Sequence, residues 1–202
     1  MSVLDFNKVS GIFGKRGSGK TDYMIGNAQH NIPGVFKSYL KRGIKVIVID
    51  TFDHPSYRQF PIIPMNRFAD FKQGVGRILV KSQDIPALNL FLNSHPNTWN
   101  SLLVYEDARK HTYKTVDKSL MELIGDSKQK NIDICFMYHC FAHAPKDLYR
   151  YLDYIELFKT KDSPMRRREE LEDCLDEAMT AYEKVKNHPN KFYHTLIDTE
   201  RE

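Results

Sequence analysis

Residues 14–21 read Gly-Lys-Arg-Gly-Ser-Gly-Lys-Thr, and this segment is the most informative one for the fold of the chain. It follows a short apolar run and opens a segment with helical spacing. The glycines allow a tight turn whose backbone N–H groups point inward, and together with the positive end of a following helix these groups attract phosphate oxygens. In such loops the lysine reaches the β- and γ-phosphates, and the hydroxyl after it ligates magnesium. The pattern predicts that ATP and Mg²⁺ bind at Gly14, Lys15, Arg16, Gly17, Ser18, Gly19, Lys20 and Thr21.

On both sides of this loop, short apolar runs alternate with segments of helical spacing. Apolar runs of this kind suit strands that are buried on both faces of a mostly parallel sheet. The expected strands lie at residues 9–13, 44–50, 77–81, 101–105, 132–138, 154–158 and 192–197. The expected helices lie at residues 21–31, 35–41, 86–94, 116–130 and 164–187. We therefore expect one α/β domain over residues 1–202, to which residues 163–202 add a C-terminal helix and an antiparallel edge strand.

Two adjacent carboxylates end the apolar run at residues 102–107, Leu-Leu-Val-Tyr-Glu-Asp. At the end of a strand the first acid can reach a magnesium ion, and the second can orient a water in line with the γ-phosphate. On this interpretation Glu106 is a metal ligand and Asp107 is the catalytic base. The usual order in such pairs is Asp then Glu, so the roles of the two could be exchanged. A purely structural alternative is a pair that caps the next helix or faces solvent.

Other polar residues stand where they could assist this site. His139 follows the apolar run at residues 132–138 and is placed to sense the γ-phosphate, or to be a hydrogen-bonded core histidine. Five basic residues could contact a phosphate backbone or the nucleotide of a neighbouring subunit: Arg109, Lys128, Arg166, Arg167 and Arg168. Alternatively, Arg166, Arg167 and Arg168 lie on a solvent-exposed surface and form ion pairs with nearby glutamates.

The composition fits an ordinary globular protein. Of the 202 residues 41% are hydrophobic and 28% are charged, and the net charge of +4 allows contact with nucleic acid without requiring it. The three cysteines form no CxxC pair, which favours a reducing compartment. The sequence has neither a signal-peptide pattern nor an apolar stretch of the ~20 residues that a membrane span needs. We expect a cytoplasmic protein without membrane insertion.

Four segments together resemble one family. GKRGSGKT at residues 14–21, VIVIDTFDHPSY at 46–57, LLVYEDAR at 102–109 and IDICFMYHCFAHAPKDLYRYLDYIELFKT at 132–160 are similar to FtsK–HerA-type ATPases. The resemblance covers roughly residues 9–160. Within this group the sequence most resembles viral genome-packaging ATPases. Its resemblance to the phage-assembly ATPases akin to zonula occludens toxin is more distant. His139 stands where that family usually has Gln.

The resemblance implies a RecA-like (ASCE) core with the strand order 5-1-4-3-2. It also implies a homo-oligomeric ring of five or six subunits with nucleotide at the interfaces, in which ATP hydrolysis moves double-stranded DNA. Lys20, Glu106, Asp107 and His139 take the catalytic positions. The absent membrane segment favours packaging over extrusion, with a capsid or portal-type protein as a partner. A viral protein of this kind is expected in the host cytoplasm or with the virion or procapsid.

Two other classes of function fit the same loop. A small-molecule kinase of the nucleoside-kinase type would need an arginine-rich lid, for which residues 162–168 are available. A nucleotide-dependent switch would bind a protein partner and turn over slowly. Adjacent acids at the end of a strand suit the activation of water better than transfer to a hydroxyl group, which favours the motor.

Overall fold

The apolar runs form one seven-stranded sheet in the computed structural model, which describes residues 7–112 and 114–199. The strands are β1 Val9–Phe13, β2 Lys45–Asp50, β3 Val75–Leu79, β4 Ser101–Tyr105, β5 Ile132–Tyr138, β6 Tyr154–Leu157 and β7 Thr195–Asp198. Their order is β3-β2-β4-β5-β1-β6-β7, and every pairing is parallel except the antiparallel one between β6 and β7. The α/β class and the C-terminal antiparallel edge strand are therefore confirmed.

The strand order contains the predicted one and extends it. The five strands β6-β1-β5-β4-β2 correspond to the order 5-1-4-3-2 when the strand before the glycine loop is counted first. The sheet adds β3 beyond β2 and β7 beyond β6, so β2 and β6 are interior strands. The central strands β2, β4 and β5 are buried along their whole length, as expected for a sheet covered on both faces.

Helices cover the two faces of this sheet. The α-helices are α1 Lys20–Ile25, α2 Val35–Lys41, α3 Ile85–Ser94, α4 Lys118–Lys130 and α5 Leu175–Asn187. Side chains of α1 and α2 pack with Ile12, Val46 and Val48 on one face. Side chains of α3, α4 and α5 pack with Phe13 and the opposite-facing strand residues on the other. None of the helices in the described ranges is long and apolar enough to cross a membrane.

The predicted helix over residues 21–31 is wrong in its length, because α1 ends at Ile25. Gly26 follows with φ 101°, a backbone conformation that only glycine adopts without cost. Residues 27 and 32 then pair in an antiparallel bridge. Gly34 approaches the end of α1 so closely that a Cβ atom on it would lie 2.5 Å from the Ile25 carbonyl oxygen. A tight reversal therefore replaces the second half of the predicted helix.

The predicted helix over residues 164–187 is also wrong in its first half. Residues 164–167 and 172–174 form short 3₁₀ turns, and the α-helix begins only at Leu175. The Arg167 guanidinium donates to the carbonyl oxygens of Ala142 (3.0 Å) and Ala144 (2.8 Å). These tertiary hydrogen bonds hold the segment against the loop after β5, so contacts outweigh its helical spacing. Arg166 and Arg167 thus lie on a 3₁₀ turn, and Arg168 follows it directly.

Candidate functional site

The loops after β1, β4 and β5 meet at one edge of the sheet. These strands are parallel neighbours, so their carboxyl ends lie side by side. The glycine loop follows β1, the acidic pair follows β4 and His139 follows β5. This topology brings together residues that are more than a hundred positions apart in the sequence.

The glycine loop is held in shape by its neighbours on both sides. The Gly14 N–H donates to Tyr138 O on β5 (3.1 Å), and the Lys15 N–H donates to Lys159 O just after β6 (2.7 Å). Gly17 and Gly19 adopt φ of 77° and 96°, which is the left-handed conformation that turns N–H groups toward one point. Lys15 and Arg16 are exposed, and Thr21 is half-buried at the start of α1.

The inner surface of this loop has an unsatisfied polar atom. The Ser18 side chain is only 2% exposed, and its Oγ has no hydrogen-bond partner among the described residues. A buried hydroxyl without a partner costs free energy, so such an atom is expected to meet a ligand. The cradle therefore fits an oxyanion such as a phosphate.

Lys20 is buried and folds back onto the loop. Its Nζ donates to the carbonyl oxygen of Gly14 and lies 3.5 Å from Nδ1 of His139. Burial lowers the pKa of Lys20 to about 8, although the carboxylates of Glu106 and Asp107 act in the opposite direction. The ammonium group therefore lies between the loop and the acidic pair, where it can neutralise phosphate charge.

Glu106 is the more buried of the two acids. Its Oε2 accepts a hydrogen bond of 2.7 Å from the hydroxyl of Tyr57, a fully buried residue on the turn after β2. Burial raises the pKa of Glu106, and the Tyr57 hydrogen bond acts against this rise. Its carbonyl oxygen accepts from Nε2 of His111, whose pKa burial lowers to about 4. Hydrogen bonds thus fix both the side chain and the backbone of Glu106.

Asp107 faces a different partner. Its backbone is left-handed, with φ 46° and ψ 56°, and its Oδ1 lies 3.9 Å from Nε2 of His139. Burial and the nearby Lys20 cation lower the pKa of His139, so the imidazole is neutral near pH 7. Lys20, His139 and Asp107 form a line of three polar side chains beside Glu106. The sequence analysis assigned Lys20, Glu106, Asp107 and His139 to one site, and the structure brings these four residues together.

The described residues contain no group of three or more His, Cys, Asp or Glu side chains able to hold a metal ion by themselves. Magnesium keeps several waters and commonly binds through one or two carboxylates plus substrate phosphates. The acidic pair and the Thr21 hydroxyl supply oxygen atoms of the type that magnesium prefers. They would hold the ion only together with a bound nucleotide.

The five basic candidates do not lie together. Arg109 lies at the site edge, with its guanidinium 3.4 Å from Nε2 of His143. Arg166 and Arg168 are exposed on the turn after β6, whereas Arg167 is engaged with backbone carbonyls as described above. Lys128 is exposed near the end of α4, which precedes β5 and therefore lies at the opposite edge of the sheet.

Sequence reasoning missed two side chains of the site. Tyr57 lies 49 positions before Glu106, and no spacing in the sequence indicates that its hydroxyl reaches this carboxylate. Phe192 packs against Gly19 of the glycine loop from the C-terminal segment. Both contacts depend on the folding of irregular loops, for which the periodicity of the sequence carries no signal.

Asp50 also ends a strand, but its carboxylate stabilises a turn. Its carboxylate accepts hydrogen bonds from the backbone N–H groups of Phe52 and His54, both at 2.9 Å. It also lies 3.6 Å from the guanidinium of Arg77. These contacts fix the turn after β2, the same turn that carries Tyr57.

Neither a protein-family model nor a curated protein sequence matches this chain. Solved structures do match it. The genome-packaging NTPase B204 of Sulfolobus turreted icosahedral virus 2, in complex with sulfate, gives a TM-score of 0.72 at 17% identity, over 97% of this chain and 93% of that one. The same protein with ATPγS gives 0.68 at 17% identity, over 95% and 96%.

A third structure is that of B204, the DNA-packaging ATPase of Sulfolobus Turreted Icosahedral Virus. It gives a TM-score of 0.68 at 21% identity, over 96% of this chain and 93% of that one. At this level of identity the similarity concerns the fold. The predicted resemblance to viral genome-packaging ATPases is thus confirmed as a likeness of fold over nearly the whole described chain.

Proposed function

We propose that this chain is an ATP-hydrolysing motor that moves double-stranded DNA, as the genome-packaging ATPase of a virus. The observation that carries the proposal is the meeting of four groups at one sheet edge: the glycine loop with Lys20, the buried Glu106, Asp107 and His139. A cradle for phosphate, a buried cation and two carboxylates are the parts that hydrolysis of a nucleoside triphosphate needs.

Each residue of the site has its own role in ATP hydrolysis. The loop amides, the Ser18 hydroxyl and Lys20 hold the phosphates. Thr21 and Glu106 hold magnesium, which screens the charge on the phosphates when it is bound. Asp107 orients a water molecule and takes its proton, and the neutral His139 beside it holds the position of the γ-phosphate.

The solved structures support the choice of substrate and process. B204 is described as a genome-packaging NTPase and was solved with ATPγS and with AMPPCP. By analogy with the family resemblance, this chain would act as a ring of five or six copies. It would work with a capsid or portal-type protein, in the host cytoplasm or on the procapsid.

The kinase alternative is less well supported. Its lid would be residues 162–168, and these are tied to the loop after β5. The Asp162 carboxylate accepts from the backbone N–H groups of Phe141 (3.0 Å) and Ala142 (2.8 Å), and Arg167 donates to the same loop. A segment held in this way is not free to close over two substrates.

The experiment that tests the proposal is ATP hydrolysis by the purified protein with and without double-stranded DNA. We expect stimulation by DNA, and loss of hydrolysis in Lys20→Ala. Lys184→Ala, an exposed lysine on α5, is the matched control and should behave as wild type. Hydrolysis that is indifferent to DNA would contradict the motor, and hydrolysis that survives in Lys20→Ala would contradict the site.

A further inference from the structure

A cleft of about 650 Å³ lies beside the glycine loop. One wall is the reversal between α1 and α2, with His30 and Pro33. The other wall is the segment that leads into β7, with Asn190, Phe192 and His194. The acidic pair and His139 have no part in this cleft, and the function proposed above leaves it unused.

The cleft continues the surface of the loop without a gap. A Cβ atom on Gly19 would lie 2.5 Å from Cδ1 of Phe192, so the phenyl ring touches the last glycine of the loop. The ring of His30 lies with its centroid 4.3 Å from that of Phe192, at an angle of 39°. His30 is exposed and Phe192 is half-buried, so part of this aromatic surface is accessible next to the phosphate cradle. The Nζ of Lys191 lies 4.7 Å from the centroid of the Phe192 ring.

The segment that carries Phe192 is fixed to the loop. Asn190 Oδ1 accepts from the Phe192 N–H (2.9 Å), and His188 Nδ1 accepts from the Asn190 N–H (3.1 Å). Lys159 donates through Nζ to the carbonyl oxygen of His188, and its own carbonyl accepts from the Lys15 N–H of the glycine loop. The aromatic surface and the phosphate cradle are therefore positioned by the same residue.

Three polar side chains of the cleft, Tyr23, Glu156 and His194, bond to one another. The Glu156 carboxylate accepts from the Tyr23 hydroxyl (3.1 Å) and from Nδ1 of His194. These groups are therefore engaged with each other, and the rings of Phe192 and His30 are the accessible aromatic surface of the cleft.

The direction of a bound nucleotide follows from the sheet. The groups that act on the terminal phosphate follow β4 and β5, on one side of β1, whereas the cleft lies beside β6 and β7 on the other. A nucleotide whose terminal phosphate faces Glu106, Asp107 and His139 points its base away from them, toward Phe192. This step rests on the function proposed above.

We propose that the base of the nucleotide lies in this cleft against the Phe192 ring, next to His30, and that the site recognises it by stacking. Every nucleobase has an aromatic face, so stacking attracts bases with little regard to their edges. The chain therefore binds adenine and guanine nucleotides with similar affinity.

The test compares ligands that differ only in the base. Binding of AMPPCP, its guanine counterpart and inorganic tripolyphosphate is measured by calorimetry for wild type, Phe192→Ala and His30→Ala. Stacking on one side chain changes affinity by roughly 5- to 150-fold, so Phe192→Ala should weaken both nucleotides by a factor in this range. Tripolyphosphate should bind Phe192→Ala and wild type alike, and Phe192→Tyr should restore nucleotide binding. Trp99→Ala, which removes an exposed aromatic ring elsewhere, should change nothing.

Three results would overturn the inference. Equal weakening of tripolyphosphate and nucleotides in Phe192→Ala would mean that the ring only shapes the loop. Unchanged nucleotide binding in both variants would place the base elsewhere, and a strong preference for one base in wild type would contradict recognition by stacking. Failure of wild type to bind any of the three ligands would overturn the proposed function itself.

Discussion

Lys20 illustrates how burial tunes a single residue of this site. The residue is 7% exposed, its ammonium group bonds to a loop carbonyl, and burial brings its pKa down to about 8. The charged form, which attracts phosphate, is therefore dominant below pH 8 and is lost as the pH rises above it in the free protein. If Lys20 holds the phosphates as proposed, nucleotide binding is coupled to the uptake of a proton in this range.

We predict that AMPPCP affinity falls by no more than about twofold between pH 7 and 8 and then more steeply, by up to about tenfold for each further pH unit. Calorimetric titrations from pH 7 to pH 9.5 measure this fall. Lys20→Arg binds more weakly but shows no such fall, because a guanidinium stays charged throughout. A wild-type affinity that is level to pH 9.5 would contradict the assignment of Lys20.

Glu106 depends in a similar way on Tyr57. The tyrosine hydroxyl donates to a carboxylate whose pKa burial raises, and this hydrogen bond favours the ionised form. Hydrogen bonds to charged groups contribute about 1.5–3 kcal/mol, enough to change a rate by a factor of ten or more. Tyr57 is thus a positioning residue for the acid.

We predict that Tyr57→Phe lowers kcat roughly tenfold with little change in nucleotide affinity. Without the hydrogen bond the pKa of Glu106 rises, so the acidic limb of the pH–rate profile moves to higher pH. Tyr39→Phe is the matched control, because Tyr39 is also buried and also bonds to a carboxylate, that of Asp133 at the other end of β5. An acidic limb that moves equally in both variants, or in neither, would refute the role of Tyr57.

The elements were predictable where the sequence has a clear period. The existence of all seven strands and the positions of α2, α3 and α4 follow from apolar runs and helical spacing. The bounds are less accurate at the sheet edges, since β3 lies two residues before its predicted range and β7 begins at Thr195, three residues after the predicted start. The errors lie at α1 and at residues 164–174, where a positive φ at Gly26 and the hydrogen bonds of Arg167 decide the backbone. The candidate site was predictable for the same reason as the strands, because its residues stand at strand ends. The Tyr57 and Phe192 contacts arise from loops and were not.

The reversal after α1 can be tested at Gly34. Alanine there meets both a positive φ of 83° and the Ile25 carbonyl oxygen, so we predict a loss of about 2–4 kcal/mol in the free energy of unfolding. Gly43→Ala has a similar φ but open space, and should lose about 1–2 kcal/mol. Gly125→Ala, inside α4, should gain about 0.5–1 kcal/mol. Urea unfolding checks all three, and equal losses at Gly34 and Gly43 would show that the close approach is unimportant.

At the scale of the whole molecule, the basic residues separate into structural and available ones. Arg167 is tied to the loop after β5, whereas Arg166 and Arg168 on either side are exposed at the edge of the sheet that carries the site. If this edge meets DNA, the two exposed arginines contribute to binding and Arg167 contributes to the fold.

We predict that Arg166→Ala and Arg168→Ala each leave stability within about 0.5 kcal/mol and reduce the slope of log K against log salt for DNA binding by about 0.9. Arg167→Ala should instead cost about 1–2 kcal/mol of stability, because two carbonyl groups lose a charged donor that is partly exposed. Thermal unfolding and DNA titrations at several salt concentrations separate the two effects. A changed salt slope in Arg167→Ala alone would reverse the assignment.

The proposed motor is tested directly by the displacement of a third strand from a DNA triplex by the purified protein. A motor that moves along the duplex removes this strand as it passes. We predict displacement by wild type with ATP, and none with AMPPCP or with Lys20→Ala. Hydrolysis of ATP on the duplex without displacement of the third strand would contradict the proposal that this protein moves DNA.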